Sequence, residues 1–311
     1  MFIRPKDYIA IADTLYFAVV SEYQEDGRAL CWLRYIKDDA GMHKLSTKQA
    51  AEYISKSYPQ FNFHSDYADS LLHGIPFESV DKIFRPEATV LRLLNLSSAD
   101  DKQRDAITII NRLLEAGVDQ KNIGITGSLM LDTHNEESDI DIVIYGRKQF
   151  FAARKLIKNE IKISKLESLS EASWKDAYHR RGCALTYEQY KKHELRKYNK
   201  CISGNTRVDI SMIPNAVEQY IEKGPYKKKG RANIVARVTD DTYAYDFPAR
   251  YLIEHETITE VVSYTATYIG QARTGEQIDV AGHIEQGSDG GSRLLVGTSR
   301  EAADEYIRII D

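Results

Sequence analysis

Two aspartates separated by one isoleucine, Asp139-Ile140-Asp141, stand at the head of an apolar run that continues Ile142-Val143-Ile144-Tyr145. A β-branched run of this length reads as a strand, and alternation along a strand sends residues i and i+2 to one face. Two carboxylates are therefore expected side by side at a strand entrance. Ten residues intervene between them and Gly127-Ser128, where the preceding apolar stretch, residues 122 to 126, ends in a glycine turn. Strand, glycine turn and acid-headed strand together call for a mixed α/β core with a polar site at its edge.

The surrounding sequence supplies the rest of that core. From Ser98 through Ala116, Ile107, Ile110, Leu113 and Leu114 fall at helical spacing, and Gly117 follows as a terminator. After the acid-headed strand come a helix from about Lys148 to Asn159 and a predominantly helical stretch over 164 to 200. Arg207-Val208-Asp209-Ile210-Ser211-Met212-Ile213 then returns to strand alternation. One nucleus of this kind fits residues 87–225.

On its amino-terminal side, Leu15 to Val20 and Ala29 to Ile36 are aromatic and β-branched runs joined by Glu25-Asp26-Gly27-Arg28, a hairpin pattern, and Ser46 or Thr47 caps a helix reaching about Lys56. Residues 1–86 read as a small α+β module. The segment from Gly224 to Arg231 is punctuated and basic, which suits a linker or exposed loop. Beyond it, residues 226–311 read as a β-rich module, a small barrel or sandwich, closed by a helix over Arg300 to Ile310. The fold class is α+β: a mixed β-sheet core with helices, flanked by these two modules.

Composition excludes several classes. A formal net charge of -4 argues against a chain that coats nucleic acid with its whole surface, though it leaves room for a local basic patch. Three widely spaced cysteines, Cys31, Cys183 and Cys201, match neither a secreted disulfide framework nor a close-spaced zinc site. No apolar run approaches the roughly 18 to 20 residues of a membrane span, and the first residues lack a signal-peptide pattern. The expectation is a soluble cytoplasmic protein with no membrane partner.

The paired acids suit phosphoryl chemistry. Hard cations take oxygen ligands, and Mg²⁺ is commonly held by one or two carboxylates together with substrate phosphates. Asp139 and Asp141 are candidate ligands for Mg²⁺ or Mn²⁺. Asp209 is the candidate third, because it is the acid on a later strand set within an apolar alternation, where a carboxylate is costly without a cation. Gly127 lets backbone amides approach a phosphate, and Ser128 can hydrogen-bond one of its oxygens. In the helical stretch His193, Arg196, Lys197 and Lys200 share a face at helical spacing, a candidate surface for a triphosphate or an RNA backbone, or else a solvated helix face. Arg180-Arg181 and Lys227 to Lys229 carry the same two readings.

Gly-Ser, ten intervening residues, Asp-Ile-Asp and Ile-Val-Ile, with a later strand aspartate, resemble the DNA polymerase beta-like nucleotidyltransferase superfamily over about residues 122 to 213. The layout is also similar to stand-alone prokaryotic nucleotidyltransferase-domain proteins. The resemblance implies catalytic metal ligands at Asp139, Asp141 and Asp209, and a nucleoside triphosphate, ATP among the candidates, seated at Gly127-Ser128. It implies transfer of a nucleoside monophosphate to an acceptor hydroxyl with release of pyrophosphate. RNA ends, a protein side chain and a small molecule all remain as acceptors. The alternative reading is a non-catalytic nucleotide- or RNA-binding regulator that retains the fold.

Overall fold

In the computed structural model, residues 2–221, 224–298, 302 and 304–310 are described. The chain forms two compact units, one of residues 1–114 and 119–143, the other of residues 115–118 and 144–311.

The first unit is built on a sheet of β1 (Tyr8–Ile11), β2 (Leu15–Glu25), β3 (Arg28–Asp38), β4 (Gly41–Lys44), β5 (Asn62–Ser65), β6 (Ser70–Pro76) and β7 (Lys82–Phe84). The strand order is β5-β6-β3-β2-β1-β7, with β4 on β3. The expected hairpin is β2–β3, and Asp26 and Gly27 adopt φ +50° and +69°, the left-handed pair that a two-residue hairpin turn requires. Helix α1 (Thr47–Ser57) starts at Ser46, whose side chain accepts from the Gln49 amide while Gln49 caps in return. Ala50 and Ile54 of that helix are buried in one core with Phe17, Leu33 and Ile75.

A bulge in β3 gives this sheet a second apolar face. Tyr16 opposes Tyr35 but Phe17 opposes Leu33, so Arg34 is an extra residue without a partner on β2. Leu33 and Tyr35, two positions apart, consequently face opposite ways. Leu33 joins the α1 core, whereas Tyr35 packs with Tyr8, Ala10, Tyr16, Met130 and Leu131.

Helix α2 (Pro86–Leu94), absent from the sequence expectations, begins with proline at its first turn. It packs closely on β8 (Ile123–Thr126): a methyl group on Gly124 would stand 2.5 Å from Pro86 Cβ. Helix α3 (Asp101–Glu115) buries Ile110 and Leu113 as the periodicity predicts, together with Ala106 and Ile109, while the expected Ile107 and Leu114 are only half-buried. In this unit β8 lies beside the beginning of β9 (Ile140–Tyr145).

The second unit takes the end of β9, then helices α4 (Arg147–Lys162), α5 (Glu171–Arg181) and α6 (Tyr187–Leu195), and strands β10 (Lys200–Ser203) and β11 (Thr206–Ile213). β10 and β11 pair antiparallel. The six remaining strands are β12 (Tyr226–Asp240), β13 (Ala249–Glu254), β14 (Glu260–Ser263), β15 (Gln277–Gly287), β16 (Ser292–Val296) and β17 (Tyr306–Ile310). Their order is β12-β13-β14-β16-β15-β17, and a further β12–β15 pairing closes five of them into a ring. Trp174 and Ala177 of α5 and Tyr190 of α6 share the core of that ring with Tyr251, Ile278 and Val280.

Two expectations are corrected here. The basic stretch expected as a loop is strand from Tyr226 onward, paired with Gly287 to His283 of β15. Lys227 and Lys229 are exposed on a long strand whose Tyr226 is buried under the Arg293 guanidinium, 3.4 Å from the ring centre. The expected closing helix is instead β17 where described, because Tyr306 to Ile310 pair with Ala281 to Gln277; residues 300, 301 and 303 of that expectation lie outside the described residues. The three cysteines are in no disulfide. No helix among the described residues is long and apolar enough to cross a membrane.

Candidate active site

In the first unit the chain leaves β8 at Gly127, which adopts φ +70°. The turn that follows is fixed by two backbone hydrogen bonds, Leu131 N–H to Gly127 O at 3.3 Å and Thr133 N–H to Ser128 O at 2.9 Å. Met130 and Leu131 drive it into the tyrosine face of the sheet. Arg92 of α2 holds it from the side, donating to Leu129 O at 2.6 Å and pairing with Asp132. Arg92 carries no signal in sequence, since its two partners lie 37 and 40 residues away.

Asparagine and serine then deliver the chain to the acids. The Glu137 amide donates to Asn135 Oδ1 at 3.0 Å, and the Ser138 amide to Asn135 O at 3.1 Å, an Asx turn. Asp139 is half-buried and directly precedes β9; Asp141 is the exposed second residue of β9, between buried Ile140 and Ile142. Asp141 lies against the bare backbone of Gly127, where a methyl group would stand 2.7 Å from Asp141 Oδ2. The glycine is thus needed twice, for its positive φ and for the carboxylate beside it. Gly127→Ala is expected to cost about 1–3 kcal/mol of stability from backbone strain, and chemical denaturation against wild type measures it.

Of the other acids of this turn, Asp132 is engaged locally. Asp132 is paired with Arg92, and His134 Nε2 lies 2.8 Å from Asp100 Oδ2. Lys102 Nζ donates to the Glu136 carbonyl at 3.0 Å.

In the second unit Asp209 sits on β11 directly opposite Lys200 of β10, with Lys200 Nζ 2.9 Å from Asp209 Oδ1. Burial works against its ionisation, but Lys200, Arg181 and Arg207 hold the carboxyl below its ordinary range. The same Lys200 lies 3.1 Å from Glu194 Oε2, and Glu194 pairs again with Lys197. Lys197, almost fully buried, also donates to Thr267 O at 2.8 Å, while Arg196 pairs with Glu276.

The common helix face expected for His193, Arg196, Lys197 and Lys200 does not form. Helix α6 ends at Leu195, Arg196 is its cap, Tyr198 adopts φ +51° and Lys200 opens β10. His193 is buried, and burial, with Lys197 and Arg196 nearby, pushes its imidazole down to about 4, so it is neutral at neutral pH.

Among the described residues no three His, Cys, Asp or Glu side chains are gathered into a metal cluster. A hard cation at the glycine turn would therefore take protein oxygen from Asp139 and Asp141 and the rest from water and substrate, the mode usual for Mg²⁺. An all-oxygen donor pair at an open glycine turn fits such an ion.

Comparison with known proteins agrees with the motif. Residues 106–230 match the family described as "Nucleotidyltransferase domain". The chain is 34% identical over 339 aligned positions to "Uncharacterized protein MJ1086" of Methanocaldococcus jannaschii, covering 99% of each. No solved structure matches. The chain belongs to the nucleotidyltransferase family of the polymerase beta-like superfamily, and residues 106–230 are its nucleotidyltransferase domain.

Proposed function

We propose that the protein moves a nucleoside monophosphate from a nucleoside triphosphate to an acceptor hydroxyl and releases pyrophosphate. The observation that supports this most is the Asp141 carboxylate seated against the side-chain-free backbone of Gly127, which puts an anionic metal donor beside an open phosphate seat. Asp139 and Asp141 are the ligands we assign to Mg²⁺ or Mn²⁺; Asp209 is assigned as third acid on the sequence pattern alone. Bound at the aspartates, a divalent cation supplies neutralisation of the triphosphate and polarisation of the acceptor hydroxyl. In the reaction, the acceptor oxygen forms a bond to the α-phosphorus, the bond from that phosphorus to the pyrophosphate oxygen breaks, and the hydroxyl proton leaves to solvent base. At this turn the Ser128 hydroxyl donates to a phosphate oxygen.

Incubation with each α-labelled nucleoside triphosphate, Mg²⁺ and a cell extract divided into RNA, protein and metabolite fractions tests this. Pyrophosphate release with label in one fraction is expected, and that fraction names the acceptor class. A second reading, the non-catalytic nucleotide- or RNA-binding regulator, draws on one observation: Asp209 is already neutralised by Lys200. Binding of nucleotide with no pyrophosphate in any fraction would establish it instead.

A further inference from the structure

The bulge in β3 has a second product besides the turned tyrosine. At a bulge, the two residues opposing one partner project toward the same side of the sheet, so Arg34 accompanies Tyr35 onto the face that receives the Gly127 turn. There the guanidinium comes within hydrogen-bonding reach of the Tyr8 hydroxyl and acts electrostatically on both Tyr8 and Tyr35. The two rings lie 6.2 Å apart between centres. The same two phenols also feel the Asp141 carboxylate. Arg34 and Asp141 thus approach one tyrosine pair within the first unit.

Arg34 is half-buried, yet no carboxylate among the described residues forms an ion pair with it. Arg28, also half-buried, places its guanidinium on the Gly74 carbonyl instead. Arg4, Arg85 and Arg92 in the same unit each bind an acid, and a partly desolvated charge lacking an anion is a costly arrangement. Its backbone is not loose either, since Arg34 O accepts from the Leu45 amide at 2.9 Å. A cation that shares two tyrosine neighbours with Asp141 has the makings of half of an anion site. Guanidinium's planar fork matches phosphate oxygens in bidentate fashion.

We infer that Arg34 binds the phosphate tail of the incoming nucleoside triphosphate, so that the amino-terminal sheet supplies a substrate-binding residue to the turn at Gly127 and Asp141. This rests on the nucleotidyltransfer reading above and extends it. The sheet is then part of the substrate site, and Tyr8 is the residue that orients the guanidinium.

Inorganic tripolyphosphate with Mg²⁺ isolates the phosphate contact from base and acceptor, and its affinity is read by thermal shift and calorimetry on the full chain. Arg34→Ala is expected to weaken binding about tenfold or more, the loss typical of a hydrogen bond to a charged group. Arg34→Lys should recover part of it and Tyr8→Phe should lose a smaller part. With each nucleoside triphosphate the same loss should fall on KM rather than kcat. Arg34→Ala and Arg34→Lys both binding as wild type, while Asp141→Asn does not bind, would overturn the assignment and leave the nucleotidyltransfer reading standing. If wild type binds neither tripolyphosphate nor any nucleoside triphosphate, both readings fall. Loss in Arg34→Ala with no loss in Asp141→Asn would keep the phosphate site and remove the metal-ligand role.

Discussion

Asp139→Asn and Asp141→Asn, made separately, are each expected to reduce pyrophosphate release by at least about a thousandfold, the scale on which mutagenesis registers a lost preorganised electrostatic contact and above. Asparagine keeps the shape of the side chain and removes its charge. Asp141 is exposed and Asp139 half-buried, and asparagine fills the same volume as aspartate, so both variants are expected to remain folded. The pair of readouts makes the result decisive: release assayed with labelled triphosphate, and unfolding followed in urea on the same preparations. Unchanged release in either variant would remove that aspartate from the chemistry.

The second large effect belongs to the buried charges of the other unit. Glu194 is surrounded by Lys197, Lys200 and Arg181, and the side chains of Glu194, Lys197 and Lys200 are 3%, 2% and 10% exposed. Replacing it with alanine leaves Lys197 and Lys200 without their shared anion. Breaking a buried ion pair by removing one partner costs about 3–5 kcal/mol, and Glu194→Ala should lose that much in urea unfolding. The wild type carries the matching pH signature. Burial opposes ionisation of Glu194, but the cations outweigh it and hold the carboxyl down to about 2 from an ordinary 4.5. A folded value below the unfolded one means stability that is complete above about 4.5 and is lost as pH falls toward 2, where the unfolded chain binds the proton first. Glu194→Ala should flatten that part of the profile; an unchanged slope over that window would show that other groups carry it.

Much of the architecture was legible because it is local. Asp26-Gly27 announces its hairpin, Ser46 its helix cap, and Ile110 and Leu113 part of their buried stripe. Helix α2 was hidden because Arg85-Pro86 reads equally as the end of a passage and as a helix start, and only packing on Gly124 decides between them. The strand at Tyr306 was misread as helix for the reason that strands need a partner, and its partner lies on β15, about the position of Ala281. Electrostatic partners were the least legible part. Arg196 meets Glu276 across 80 residues, and Lys200 is opposite Asp209 only because β10 and β11 pair in that register. A basic run in sequence offers no means of telling a cation that awaits a ligand from one already neutralised.

The extra residue in β3 also bears on how chains of this kind can diverge. Both apolar faces of the amino-terminal sheet are set by the pairing of Leu33 with Phe17 and of Tyr35 with Tyr16, and Arg34 enters neither pairing. Deletion of Arg34 would make Leu33 and Tyr35 neighbours that still alternate, with Leu33 opposite Phe17 and Tyr35 opposite Tyr16 as before, so the loss would fall on the guanidinium and on neither apolar face. Inheritance can therefore change or drop this residue without moving a leucine or a tyrosine off its face.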